Sequence, residues 1–181
     1  MPLKIAEGDL LYHAVHGLCR VSDVRKQKES GKEVLSYALV PKVSNQMKLR
    51  YVISANELEA SGFHVLISVK EANEILEYLK RSHIAAPQAE YDPKAPRSFA
   101  ENNQTWALAR SILACALDAN EAKEQRKRQT LERSARGLAH ELAFVLGITV
   151  RETVLKLRRS LESTSKLNPL VLTALENASQ D

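Results

Sequence analysis

The sequence predicts an α+β protein in which a small β-barrel or strongly bent sheet comes first and an α-helical domain follows. Within residues 1–67, apolar residues recur every second position in several short runs separated by turn residues, the period of half-buried strands. From Ser68 onward the period becomes helical. Between the helical stretches, residues 83–97 hold Pro87, Pro93 and Pro96, three of the six prolines, and proline cannot continue a helix interior. The expected division is a β-rich domain at 1–67, a helix with a proline-containing connector at 68–97, and a helical, basic domain at 98–181.

In chain order, residues 9–13 form a compact apolar run ended by the turn signal His16-Gly17. Residues 18–24 set Leu18, Arg20 and Ser22 against Cys19, Val21, Asp23 and Val24, roughly a strand period. Glu29-Ser30-Gly31-Lys32 reads as a hairpin loop, because Gly31 adopts φ > 0 at little cost. Residues 34–40 return antiparallel with Leu35, Tyr37 and Leu39 on one side. Residues 48–54 then alternate Leu49, Tyr51 and Ile53 with Lys48, Arg50 and Val52. Turns this tight leave no room for βαβ crossovers.

The helices announce their own starts. Ser68-x-x-Glu71, Ser98-x-x-Glu101 and Thr149-x-x-Glu152 are capping-box patterns, in which side chains satisfy backbone N–H groups that a first helical turn leaves unpaired. Helices are expected from Ser68, over 98–118, over 121–146 with Gly147 as C-terminal cap, and from Thr149. Asn168-Pro169 opens a short final helix, expected to fray at the chain end.

Composition narrows the function. The chain has 181 residues, 44% hydrophobic and 27% charged, enough apolar content for a core, so global disorder is not expected. The net charge of +4 is unevenly spread, with six Lys/Arg against two Glu in residues 123–136 and nine against seven Asp/Glu in residues 1–67. That asymmetry points the helical half toward an anionic partner. Cys19 and Cys115 lie far apart and suggest no disulfide framework, which favours a reducing compartment. No run approaches a membrane span, and residues 1–8 lack the apolar core of a secretory signal. A cytoplasmic protein is expected, with no membrane association.

The third helix is the most informative element. Leu131, Ala135, Leu138, Leu142 and Val145 recur at spacings of 4, 3, 4 and 3, forming one stripe. Arg126, Gln129, Arg133, Arg136 and His140 form the opposite stripe, on which acidic residues are absent. Arginine forks match phosphate oxygens, so the stripe reads as backbone contact with a nucleic acid, against the plainer alternative of a solvated charged face partly neutralised by Glu124 and Glu132. Trp106 lies on the apolar stripe of Ala109, Leu113 and Ala116 and reads as core, with insertion into a base step as the alternative. His13, His16 and Cys19 are zinc-ligand types, but no fourth ligand follows at suitable spacing. Strand packing plus a turn histidine is the expected role, and neither metal nor cofactor is expected. Carboxylates read as surface caps and ion pairs. With no nucleophile–base pair, phosphate loop or acidic dyad, the chain reads as a macromolecule-binding protein and not an enzyme, with no small-molecule substrate.

The opening Glu7-Gly8-Asp9-Leu10-Leu11-Tyr12-His13-Ala14-Val15-His16-Gly17 resembles the Gly-Asp-x-Val-Val-Tyr-Pro-x-His-Gly start of CarD/CdnL-type bacterial transcription regulators. The hairpin at Ser30-Gly31-Lys32, residues 48–53, Gly62, the basic helix and the run Ala139-His140-Glu141-Leu142-Ala143 continue the resemblance over most of residues 5–160. The opening motif is shared with transcription-repair coupling factor, but the helical half resembles the CarD/CdnL type. The resemblance implies a Tudor-like domain that docks on the RNA polymerase β subunit. It also implies a helical domain that contacts promoter DNA near the upstream edge of the −10 element, stabilising the open complex with little sequence readout, in a cytoplasmic, nucleoid-associated protein.

Carried over by residue, the implied polymerase-binding set is Arg25, Arg50, Tyr51 and Val52. The family's docking arginine aligns with Val52, and Arg50, on the same face two residues earlier, takes the role. His13 stands where the family has proline. The family's wedge tryptophan has no counterpart in residues 91–99, where Tyr91 and Phe99 are the replacements and Arg97 supplies the adjacent charge. The implied DNA-binding set is therefore Tyr91, Arg97, Phe99, Arg126, Arg133 and Arg136. The alternative reading is a polymerase- or protein-binding adaptor whose helical half meets another protein and not DNA.

Overall fold

The computed structural model describes residues 5–29, 32–42, 49–81, 104–117, 125–162 and 168–180. The chain divides into two compact units, Met1–Leu66 and Ile67–Asp181. The architecture is α+β, an antiparallel sheet followed by helices.

The first unit contains β1 (Leu10–His13), β2 (Gly17–Glu29), β3 (Lys32–Pro41), β4 (Tyr51–Ser54), the single-turn α1 (Leu58–Ser61) and β5 (His64–Val65). The strands form one sheet in the order β4-β3-β2-β1-β5, with every neighbouring pair antiparallel. The sheet is open, not a closed barrel: among the described residues β4 and β5 are its edges, and the two residues of β5 pair with β1 alone. The β2–β3 ladder continues to the pair Glu29 and Lys32, framing the hairpin expected there.

A β-bulge explains the irregular alternation of residues 18–24. Val21 pairs with Leu39 and Asp23 with Ala38, so Ser22 is the extra residue, and its Oγ donates to the Ala38 carbonyl at 3.1 Å. Before the bulge Cys19 and Val21 enter the core, and after it Val24 does. One face thus buries Leu11, Cys19, Val21, Tyr37 and Leu39 beneath Ile5 and Phe63. Leu35 shares the side of Tyr37 but is exposed, one position beyond the last β3–β4 pair, Ser36 with Ser54.

The second unit contains α2 (Val69–Arg81), α3 (Gln104–Leu117), α4 (Gln125–Leu146), α5 (Val150–Leu161) and α6 (Pro169–Ala178). Both described capping boxes form. Glu71 N–H donates to Ser68 Oγ at 3.2 Å while Glu71 accepts from the Ser68 N–H at 2.7 Å. Thr149 and Glu152 do the same at 3.1 and 2.8 Å. Those carboxylate bonds hold the Glu152 pKa below the ordinary value. At the end of α4, Gly147 takes φ 65°, its N–H reaches the Phe144 carbonyl at 3.4 Å and the Ile148 N–H the Ala143 carbonyl at 3.1 Å. This is a Schellman ending, which favours glycine at that position. The pattern Ser98-x-x-Glu101, the connector 83–97 and residues 121–124 lie outside the described residues.

Helix α4 is the axis of this unit, packed by α2, α3, α5 and α6. Of its expected stripe, Leu131, Ala135, Leu138 and Leu142 are buried and Val145 partly so, but Ser134, Ala139, Glu141 and Ala143 are buried as well, since several neighbours need more than one face. Helix α6 does not behave as a frayed end. It buries Val171, Ala174, Leu175 and Ala178 against the same core. Asn168 caps it, accepting from the Leu170 N–H at 3.0 Å and donating to the Cys115 carbonyl at 3.3 Å. Ten residues are too few for an isolated helix, so tertiary burial holds it.

Candidate functional site

The Ser22 bulge builds the most distinctive surface of the first unit. It turns Asp23 away from the core face, so Asp23, Ala38 and Val52 form one row across β2, β3 and β4. Arg25, two residues beyond Asp23, and Arg50, two before Val52, fall on that face by the period of the strand. Both guanidinium groups converge on one carboxylate oxygen: Arg25 Nε lies 2.5 Å and Arg50 Nη2 3.3 Å from Asp23 Oδ2. Asp23 is half-buried, whereas both arginines are exposed and Val52 is 62% exposed on the edge strand. Exposed ion pairs such as these contribute only about 0–1 kcal/mol to stability. Their effect is to set two arginine forks beside an exposed apolar side chain at an open sheet edge.

Of the four residues assigned to docking, Arg25, Arg50 and Val52 therefore come together, and Tyr51 does not. Tyr51 faces the other way, packing on the core with its ring 4.6 Å from that of His16 and 5.9 Å from that of Phe63. Asp23, which holds the arginines, was missed by sequence reasoning. A regular alternation from Cys19 turns it toward the core, and only the bulge reverses that.

His13, His16 and Cys19 do not form a ligand set. Cys19 is fully buried in the sheet core, where burial pushes its thiol pKa up. His13 Nδ1 accepts backbone N–H bonds from Val15 at 3.0 Å and His16 at 3.1 Å. Among the described residues no cluster of metal-ligand types converges. No helix among them is long and apolar enough to cross a membrane.

In the helical unit, Arg128, Gln129, Arg133 and Arg136 are exposed on α4, while His140 is half-buried. Arg126 lies in the first turn, with its side chain outside the described residues. Glu132 is exposed between Arg128 and Arg136 at successive i, i+4 positions, beside the stripe and not on it, where it partly neutralises the basic arc. Phe144 continues the arc at 47% exposed. Tyr91, Arg97 and Phe99 lie outside the described residues.

Trp106 packs at the margin of the helical core and not in its centre. It is partly buried, and its ring meets Tyr78 of α2 edge-on at 5.6 Å. Trp106→Ala is expected to cost about 2 kcal/mol, below the roughly 3–5 kcal/mol of a fully buried tryptophan. Urea unfolding checks this, and an unchanged midpoint would contradict the packing role.

No family model matches the chain, and no curated protein matches it significantly.

Proposed function

We propose that this chain is a macromolecule-binding protein whose first unit docks on a protein partner and whose second unit contacts a polyanion. More particularly, we read it as a transcription regulator of the CarD/CdnL kind, with a Tudor-like first unit bound to the RNA polymerase β subunit and its helices on promoter DNA. The single observation that carries the docking half is the cluster of Arg25, Arg50 and Asp23 beside exposed Val52 at the open β4 edge. An edge strand with unpaired backbone groups accepts an added strand, and flanking arginines select its partner. Support for the DNA half is the exposed cationic arc of Arg128, Arg133 and Arg136, a surface suited to phosphates and without an evident base-reading device.

Arg50→Glu tests the docking. The substitution opposes Asp23 with a like charge and removes a fork from the edge, so affinity for the isolated β subunit is expected to fall about 10- to 100-fold. Circular dichroism should be unchanged, because the lost bridge is exposed. Undiminished affinity by surface plasmon resonance would place docking elsewhere.

A second reading is favoured by one observation: Phe144 and Leu155 of the helical unit are 47% and 46% exposed. Large exposed apolar side chains suit a protein contact, and in that case the protein is an adaptor. The two readings separate by salt, since phosphate neutralisation imposes a steep logarithmic dependence that an apolar protein contact does not.

A further inference from the structure

We propose that the turn joining β1 to β2 is a proton-operated latch on the β4 edge: neutral His13 holds the turn closed, and its protonation releases His16 from Tyr51. Three hydrogen bonds fix the state of the His13 ring. Nδ1 accepts from the N–H groups of Val15 and His16, so it must carry a lone pair. The ring proton therefore sits on Nε2, which donates to the Ser61 carbonyl at 3.1 Å. A proton added at Nδ1 would point at two donors and abolish both turn bonds at once.

The turn is coupled to the sheet edge through a chain of ring contacts. His13 lies 4.4 Å from His16 and 4.7 Å from Phe63, ring centre to ring centre. His16 in turn meets the Tyr51 ring of β4 at a tilt of 35°, and its Nδ1 shares a hydrogen bond with the Tyr51 hydroxyl at 3.1 Å. Opening the turn exposes little new apolar surface there, since Val15 is already 66% exposed. Loss of the two bonds at His13 frees the backbone that carries His16, and with it the support under Tyr51.

The surroundings bias the ring toward its neutral form. Burial disfavours the cation most, followed by the neighbouring His16 and, more weakly, His64, while the bond to Ser61 opposes them; the balance holds the His13 pKa below the ordinary 6.5. The sign follows directly. A base with a depressed pKa in the fold binds fewer protons there than when unfolded. Its stabilisation is complete above 6.5 and is lost as pH falls toward and through the folded value. The latch is thus shut at neutral pH and opens in mild acid. It is a property of the chain and stands whether or not β4 meets a polymerase.

Nuclear magnetic resonance on the full chain, titrated from about pH 8 to pH 5, a range that brackets the histidine pKa, tests it without any partner. The expected result is a His13 midpoint below 6.5, with the Val15 and His16 amides and the Tyr51 ring signals moving on the same curve. A His13 midpoint at or above that value, or turn amides indifferent to it, would overturn the latch. In His13→Asn, the amide oxygen takes the place of Nδ1 and cannot be protonated, so the Tyr51 signals should lose their response. If they still titrate with the original midpoint, His16 or His64 is responsible and the proposal falls. Should that variant not fold, the wild-type titration alone decides.

Discussion

Glu141→Ala is expected to destabilise the helical unit by about 3 kcal/mol, among the largest single-residue effects in this chain. Glu141 lies in the middle of α4 and is fully buried, an unusual position for a carboxyl group. Thr105, at the start of α3 and also fully buried, donates its hydroxyl to Glu141 Oε2 at 2.8 Å. The bond joins residues 36 apart in sequence and pins the register of α3 on α4. Truncation to alanine removes the acceptor of that bond and opens a cavity, so the lost bond and the lost packing act together. Thr105→Val removes the hydroxyl with little change of shape and should cost less, about 1 kcal/mol. Glu141→Leu refills the volume without restoring the bond and should recover part of the loss. Urea unfolding of the three variants measures this, and a Glu141→Ala midpoint equal to wild type would show that the buried pair holds nothing.

Local rules made most of the architecture legible. The capping pairs Ser68–Glu71 and Thr149–Glu152 act within one helical turn, and so does the left-handed Gly147 ending α4. Their geometry depends on residues adjacent in sequence, which is why pattern alone finds them. The alternation of residues 48–54 likewise places Val52 outward and Ile53 inward. What escaped was non-local. Closure of the sheet depends on whether strands distant in sequence pair, and β5 is too short to show a period at all. The Ser22 bulge needs its partner Ala38 to exist, so Asp23 could not be placed from β2 alone. Glu141 looks like any surface carboxylate until α3 is packed against it. The fate of α6 was similarly decided by α4, whose width of buried surface is set by the number of neighbours and not by its own sequence. In the candidate site, strand period suffices for Arg50 and Val52, while Tyr51, which the resemblance puts in the set, is turned away by the pleat.

Arg133→Gln/Arg136→Gln is expected to weaken DNA binding about 60-fold near 0.1 M salt, if each arginine neutralises one phosphate. The figure follows from counterion release: two lost contacts flatten the logarithmic salt slope by about 1.8 units, and a tenfold dilution from the 1 M reference converts that slope to roughly 60-fold. Both side chains are exposed on α4, opposite the buried Leu131, Ala135 and Leu138, so the fold should survive. Phosphate contact carries no sequence information, and the loss should therefore be equal on promoter and on random duplexes. Glu132 supplies an internal check. It is exposed on the same arc, one turn before Arg136, and repels any phosphate lying there, so Glu132→Gln should strengthen binding and steepen the salt slope. Fluorescence anisotropy over a salt series measures all three variants against wild type. Parallel slopes for wild type and the double variant, with equal affinities, would remove DNA from this face and leave Phe144 and Leu155 as the features to be explained, by a protein partner.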